Sequence, residues 1–413
     1  MVVNSSDQLE RKASAYLHKL CVEIPNRRVG SPGNREATDF FTHTVESFGF
    51  TVESPSFDCI YWIQDGAQLT VGGLQFEVFP SPYSPGCLVR APLIAASTVE
   101  ELQTVRAAGK VLLLHGEIAS EPLMPKNFTF YNPEEHQRII RLLEEANPLA
   151  IITATAQNAE MAGGMYPFPM IEDGDFDIPS VFADENVGRR LVELAGKQAN
   201  LESKAQRLPA SGCNVIASKG GRANSCAVRR AVLFAHIDAK IGTPGATDNA
   251  SGVTILLLLA ELLADYSGDL GIELVAMNGE DYYSAPGEMQ YLARNAGRFG
   301  EIVLGINIDG AGFIEGDTAF SIYNPPPEVE KIIRQEFSKY PNIVEGEQWY
   351  QSDHSLFVFN QVPALALTSP VLMDPAKNIT HTPDDSPEIV DVGKLATIAR
   401  ALLGLLITLN RRK

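Results

Sequence analysis

Residues 234–253, FAHIDAKIGTPGATDNASGV, lie between two apolar runs, AVLFA and VTILLLLAELL, and decide how this chain folds. The two runs predict a core strand followed by a buried helix. A connection between such elements needs only a few residues of turn chemistry. This one also carries His236, Asp238 and Asp248, so the sequence predicts that ionisable groups lie where a core strand ends.

The same alternation of apolar strands and helical segments continues after this stretch. Strands are expected at 231–235, 272–277, 303–308 and 363–368. Helical segments such as 252–265 and 328–339 separate them. Repetition of strand, crossover and strand predicts an α/β fold with a mixed, largely parallel twisted sheet that has helices on both faces.

The length of 413 residues exceeds what one ordinary hydrophobic core holds, so we expect two domains. Short β-rich pieces separated by Pro- and Gly-rich loops fill residues 64–211. This pattern of short strands and loops predicts that residues 64–211 form a β-rich domain, inserted into a discontinuous domain made of 1–63 and 212–413.

Composition excludes several classes of partner. The net charge of −18 argues against nucleic acid. The longest apolar run, 253–263, is too short to span a membrane and contains Glu261. The N-terminus shows no apolar signal region, which favours a cytoplasmic protein, although a secreted protein without its signal would look the same. Oligomeric state stays open.

An odd number of scattered cysteines predicts reduced thiols, at Cys21, Cys59, Cys87, Cys213 and Cys226.

Polar residues follow each of the four predicted strands. Ligands of open α/β sheets bind beyond the carboxyl ends of the strands. Singly, each residue is ordinary loop chemistry, but together they predict one site. The residues, in strand order, are His236 and Asp238, then Glu280 and Asp281, then Asp309, then His381, Asp384 and Asp385.

Two imidazoles and three carboxylates are the donor set of a pair of divalent metal ions. Zinc fits nitrogen and oxygen ligands best, and cobalt or manganese could replace it. Two dications about 3.5–4 Å apart need a bridging carboxylate. Asp248 is the natural bridge, because it precedes a predicted helix and is flanked by small residues in ATDNASG.

The ordered motifs HID, GATDNASG, NGED, NIDG, SDH and THTPDD, spread over residues 212–413, resemble those of the co-catalytic zinc peptidase family. That family contains leucyl-type aminopeptidases and glutamate carboxypeptidases. GSPGNREA at 30–37 resembles its N-terminal segment, and residues 64–211 resemble the protease-associated domain that many members insert. The discontinuous domain would then be the peptidase domain.

The resemblance implies a role for each candidate ligand. His236 and Asp309 would hold one metal ion, and Asp281 and His381 would hold the other. Asp248 would bridge the two ions, and the peptide bond that follows it would be cis.

The resemblance also implies catalytic roles. Glu280 would be the general base, and Asp238 would orient the ring of His236. The family usually has Glu-Glu where this chain has Glu280–Asp281, and the shorter arm of Asp281 would weaken the second metal site. Tyr350 would supply an oxyanion donor or would form a pocket wall.

The resemblance therefore favours an aminopeptidase that hydrolyses N-terminal residues of peptides. Three alternatives stay open. A carboxypeptidase of the same family needs a cation for the substrate carboxylate, for which Arg222, Arg294 and Arg298 are candidates. A glutaminyl cyclase-like acyltransferase would use one zinc ion, and an inactive binding protein would use none.

Overall fold

The computed structural model describes residues 5–24, 26–158, 162, 165–221, 229–374 and 377–411. The predictions for Arg222 and Cys226 therefore lie outside the described residues. The chain forms two compact units: unit 1 is Met1–Cys59 with Ser211–Lys413, and unit 2 is Ile60–Ala210.

The helices alternate with strands along most of the chain. The helices are α1 (Ser5–His18), α2 (Pro32–Ser47), α3 (Val99–Thr104), α4 (Glu134–Ala146), α5 (Glu185–Val192), α6 (Ser251–Leu262), α7 (Pro286–Asn295), α8 (Pro327–Phe337), α9 (His354–Phe359) and α10 (Val392–Asn410). The strands are β1 (Thr51–Glu53), β2 (Ser56–Val71), β3 (Leu74–Phe76), β4 (Phe79–Pro80), β5 (Cys87–Ala96), β6 (Val111–His115), β7 (Ala150–Thr155), β8 (Ser180–Asp184), β9 (Gln198–Cys213), β10 (Val215–Lys219), β11 (Arg230–His236), β12 (Gly271–Met277), β13 (Ile302–Ile308), β14 (Thr318–Tyr323), β15 (Ile343–Glu345) and β16 (Ala364–Thr368).

Unit 1 contains a mixed sheet in the order β1-β10-β12-β11-β13-β16-β14-β15. Its centre, β12-β11-β13-β16, is parallel, and these are the four strands that the sequence predicts. Antiparallel pairing occurs where β1 meets β10, where β10 meets β12 and where β14 meets β16. The predicted α/β fold with a mixed, largely parallel sheet is confirmed.

Helices cover both faces of this sheet, as alternate residues of β11 show. Ala235 belongs to the core that α6 and α10 fill on one face. Phe234 points to the other face, where its ring lies 4.8 Å from that of Tyr291 in α7 and 4.6 Å from that of Phe357 in α9. Gly305 lets α9 approach, because a Cβ there would lie 2.3 Å from the Phe357 ring.

Helix α2 begins at a capping residue that leaves the side chain of Asn34 for another contact. The capping residue is Ser31, whose Oγ accepts the backbone N–H of Asn34 at 3.0 Å. Pro32 then occupies the first turn, where its missing N–H costs nothing. The side chain of Asn34 is left free to bind elsewhere, and it exchanges two amide hydrogen bonds with Asn278 at the end of β12.

Helix α10 is long and apolar enough to cross a membrane by length and composition alone, with a mean hydropathy of 1.7. Half of that stretch is buried within the structure. The helix packs against α6, α1 and α8. Its Leu402 and Leu405 are fully buried in the unit 1 core, so the hydrophobicity of α10 is accounted for by packing.

Unit 2 contains a second mixed sheet, in the order β3-β2-β9-β5-β6-β7-β8-β4. Strands β5 to β8 are parallel neighbours; α3 and α4 lie between them in sequence, and α5 directly follows β8. Two apolar clusters, one around Leu112 and one around Leu113, form its core. Its resemblance to a protease-associated domain stays a prediction.

Candidate metal centre

The candidate residues lie at one edge of the unit 1 sheet because its central strands are parallel. His236 is the last residue of β11, and Asp309 directly follows β13. Glu280 and Asp281 lie in the loop after β12, and His381 lies in the loop after β16. Parallel neighbours place their carboxyl ends side by side, so residues up to 145 positions apart converge.

The five predicted metal ligands form two overlapping triads whose donor atoms lie within 4.8 Å of one another. Triad A is His236, Asp248 and Asp309, and triad B is Asp248, Asp281 and His381. Nε2 of His236 lies 3.0 Å from Oδ1 of Asp248, and Nε2 of His381 lies 2.9 Å from Oδ2. The two oxygens of Asp248 therefore face different imidazoles, which is the arrangement that a bridging carboxylate needs.

Burial and charge at this centre favour cations. His236 is 1% exposed, and neither of its ring nitrogens has a hydrogen-bond partner among the described residues. Burial opposes a charge on this ring, but the carboxylates of Asp238, Asp248 and Asp309 outweigh it and raise its pKa well above the usual value. Oδ2 of Asp281 is also buried and has no hydrogen-bond partner within the described ranges of the chain. Two imidazoles and three carboxylates that come together in this way fit a pair of divalent metal ions.

The Asp248 loop is shaped by its small neighbours. Nδ2 of Asn249 donates to the carbonyl of Ile308 at 2.8 Å, and Oδ1 of Asn249 accepts the N–H of Gly252 at 3.0 Å. A Cβ on Gly252 would lie 2.4 Å from both of these oxygens, so the loop can approach β13 only with glycine there. The Asp248–Asn249 peptide bond is cis, as the resemblance implies.

Asp238 has a different set of partners from the one expected. Its Oδ1 lies 3.7 Å from Nδ1 of His236, which is too long for a hydrogen bond. Oδ1 instead accepts the N–H of Gly279 at 2.8 Å, and Oδ2 accepts the N–H of Asp281 at 3.1 Å. The carboxylate therefore holds the loop that carries Glu280 and Asp281, and its role in orienting the ring of His236 stays a prediction.

Glu280 lies in that same loop at the rim of the centre. Burial raises its pKa well above the usual value, and the negative charges of Asp281, Asp309 and Asp353 add to this effect. A carboxylate with a raised pKa binds a proton more readily than an exposed one does. The general-base role of Glu280 stays a prediction.

Tyr350 lies in a surface loop with 53% of its area exposed. Its hydroxyl donates to Oε1 of Gln348 at 3.1 Å, and both residues line an open cavity of about 740 Å³. The adjacent Trp349 has a buried indole N–H without an acceptor in the described part of the chain. His354 is fully buried, and its Nε2 lies 2.6 Å from the Trp349 carbonyl, so it packs beneath this loop.

Three residues have positioning roles that the sequence did not reveal. Ser352 Oγ donates a hydrogen bond to Oδ2 of Asp309 at 2.6 Å and accepts one from Nδ2 of Asn307 at 2.8 Å. Arg27 is buried and donates to the carbonyls of Ile237, Pro244 and Gly245, on either side of the Asp238 segment. Asp385 binds the Asp248 loop. Ser352 and Asp385 belong to the quoted motifs SDH and THTPDD, but motif membership does not show which atoms meet.

Two of the three arginines considered for a substrate carboxylate, Arg294 and Arg298, are engaged elsewhere. Arg294 forms ion pairs with Glu53 at 3.0 Å and with Glu273 at 3.4 Å. Arg298 pairs with Glu301 at 3.1 Å. Glu273 lies near the start of β12, whereas the metal centre lies beyond its end. The described residues therefore give no support to these two as a carboxylate anchor.

Comparison with known proteins agrees with this geometry. Residues 214–406 match the model of Peptidase family M28. The chain is 26% identical over 260 residues to "Probable lipoprotein aminopeptidase LpqL" of Mycobacterium tuberculosis, covering 61% of this chain and 48% of that protein. It thus spans about half the length of that relative. It is 22% identical to "Probable leucine aminopeptidase 2" of Aspergillus fumigatus, covering 88% of this chain and 71% of that protein.

Among solved structures, a zinc aminopeptidase from Bacillus subtilis has the same fold, with a TM-score of 0.74 over 98% of this chain and 95% of that one, at 19% identity. The family match includes both triads and every strand of the parallel centre of the sheet. The part of the chain that carries the candidate metal centre, residues 214–406, is therefore similar to peptidase family M28.

Proposed function

We propose that this protein is a zinc-dependent aminopeptidase that uses two metal ions, one held by triad A and one by triad B. The observation that carries the proposal is the position of Asp248, whose two oxygens lie 3.0 and 2.9 Å from the two imidazoles. Zinc suits a mixed imidazole and carboxylate donor set. The fold shared with a zinc aminopeptidase from Bacillus subtilis supports this choice.

When bound, such ions polarise the scissile carbonyl and acidify a water molecule. The residues of the chain then have to move the proton. The carboxylate of Glu280 accepts it from the attacking water and passes it to the nitrogen of the departing amine. Burial and the neighbouring acids, which raise the pKa of Glu280, suit it to carrying a proton through both steps.

The shorter arm of Asp281 is offset by the anchoring of its loop. Asp238 holds the backbone N–H of Asp281 at 3.1 Å, and Oδ1 of Asp281 still comes within 3.2 Å of Nε2 of His381. Triad B is therefore complete with aspartate at this position, and a second metal ion is supported rather than excluded.

A more specific part of the proposal is that the enzyme cleaves at the amino terminus of its peptide substrates. The two curated relatives are both described as aminopeptidases. The cavity beside Tyr350 is lined by Glu345, whose carboxylate is paired with Arg334 at 2.8 Å, and by Glu347, whose carboxylate favours a protonated α-amine. Arg294 and Arg298 are occupied by acids, which disfavours binding of a substrate carboxylate by either of them.

A panel of chromogenic amides, assayed with added zinc, cobalt or manganese, tests this function. We expect hydrolysis of aminoacyl and peptidyl amides with a free α-amine, and none of N-blocked amides. Hydrolysis of N-blocked substrates would refute the aminopeptidase assignment, as would cyclisation of N-terminal glutamine without amide hydrolysis.

A further inference from the structure

Asp385 binds the segment that contains the bridging aspartate. Its side chain is fully buried, and its Oδ1 accepts both the N–H and the hydroxyl of Thr247 at 2.7 Å. Oδ2 accepts the N–H of Asp248 at 3.1 Å, and the Asp385 carbonyl accepts the N–H of Ala246 at 3.1 Å. Four hydrogen bonds therefore connect one residue to three consecutive positions.

Asp385 also belongs to the loop that carries His381. The N–H of Thr382 donates to the carbonyl of Ile379 at 3.2 Å, and the N–H of Asp385 donates to the carbonyl of Thr382 at 3.2 Å. These consecutive turns, together with a φ of 64° at His381, fix the short path between His381 and Asp385. A shift of Asp385 relative to the Asp248 segment would therefore move His381 as well.

Triad A does not depend on this connection to the same extent. His236 is paired with Met277 in the parallel ladder, and Asp309 donates its N–H to the carbonyl of Leu367 at 3.0 Å. Two of its three members are thus positioned by the sheet. The third, Asp248, is also held through Asn249, which binds the carbonyl of Ile308.

We propose that Asp385 is a positioning residue that sets the affinity of triad B for its metal ion while leaving triad A largely unaffected. The inference rests on the proposed two-metal function. In this inference Asp385 keeps Oδ2 of Asp248 and Nε2 of His381 at their separation of 2.9 Å. Loss of a hydrogen-bonding residue behind a metal ligand typically lowers metal affinity about 10- to 100-fold.

The test is a zinc titration of the metal-free protein in competition with a chelator. Asp385→Asn keeps the size of the side chain but turns one acceptor into a donor that faces a backbone N–H. Thr247→Val removes only the hydroxyl bond, and exposed Asp384 supplies the control Asp384→Asn with the same change of charge. His381→Ala identifies which binding step belongs to triad B.

We expect two zinc equivalents for wild type and for Asp384→Asn. In Asp385→Asn the triad B step should weaken about 10- to 100-fold and the triad A step less than about threefold. Thr247→Val should give a smaller loss at the same step. Equal weakening of both steps, or no weakening, would overturn the role of Asp385 alone. A wild type that binds one equivalent would instead overturn the two-metal function, and this inference with it.

Hydrogen exchange of the metal-free proteins gives a second readout that needs no metal. Residues 246–250 should exchange at least about tenfold faster in Asp385→Asn than in Asp384→Asn, because the substitution removes the acceptor of either the Thr247 or the Asp248 amide and thereby loosens the segment that Asp385 holds. Protection of α6 should be unchanged, which shows that the variant is folded. Unchanged exchange at 246–250 would contradict the proposed connection.

Discussion

Replacing Ser352 by alanine removes the hydrogen bond that restrains Asp309 in triad A. Ser352 Oγ donates to Oδ2 of Asp309 at 2.6 Å, so Oδ1 is the oxygen left for a metal ion. A hydrogen bond to a charged group contributes about 1.5–3 kcal/mol. If metal binding loses that amount, the dissociation constant for triad A rises about tenfold to about 150-fold. The step assigned to triad B should change little.

The same replacement also affects folding, through a different residue. Asn307 is buried, its Oδ1 has no partner among the described residues, and its Nδ2 donates to Ser352 at 2.8 Å. Without Ser352 that amide loses its acceptor, at a cost of about 1–3 kcal/mol. The metal-free variant should therefore unfold at a lower urea concentration than wild type.

Zinc titration and urea unfolding of Ser352→Ala measure the two effects separately. Ser355→Ala is the matched control, because Ser355 lies in the next turn and only its backbone N–H is bonded to Ser352. Unchanged zinc affinity in Ser352→Ala, at a precision of about twofold, would refute the reasoning. Equal changes in both variants would do the same.

Further predictions concern the acid, the packing of the sheet and the metal ions. Glu280→Gln should keep its zinc content and lose at least about a hundredfold in turnover, and comparable turnover would remove Glu280 from the mechanism. Gly305→Ala should lower the free energy of unfolding in urea by about 1–3 kcal/mol, because its Cβ would lie 2.3 Å from the Phe357 ring. The control Gly300→Ala should leave the free energy of unfolding nearly unchanged, because a Cβ there meets nothing within 4 Å. Removal of the metal ions by a chelator should abolish peptidase activity and lower the melting temperature without unfolding the protein. Added zinc should reverse both changes. Irreversible loss of structure on chelation would contradict a centre that is held by hydrogen bonds of the protein. Tyr350→Phe should change turnover less than about fivefold, since its hydroxyl is bound to a neighbouring side chain, and a loss of a hundredfold would instead show an oxyanion donor.

The location of the site was predictable because it follows from periodicity and strand direction. Apolar runs located β11, β12, β13 and β16, and parallel strands put their carboxyl ends at one edge. His236 and Asp309 lie directly at strand ends, so their convergence needed no knowledge of loops. Asp248 was identified from its small neighbours, which the close approach to Ile308 requires.

The hydrogen bonds behind the ligands could not be predicted, because they join residues far apart in sequence. Asp385 meets Thr247 across 138 positions, and Asn34 meets Asn278 across 244. Ser31 caps α2, which leaves the side chain of Asn34 to reach Asn278. Similarly, Asp238 is two residues from His236 yet binds the loop after β12. Such contacts are set by loop conformation, to which sequence patterns are insensitive.

The proposed pair of metal ions is tested most directly by X-ray absorption of the protein loaded with zinc, together with elemental analysis. We predict two zinc equivalents and a metal–metal scattering distance of about 3.5 Å, with both lost in Asp248→Ala. A single equivalent, or two equivalents without any metal–metal scattering, would contradict the bridging role of Asp248.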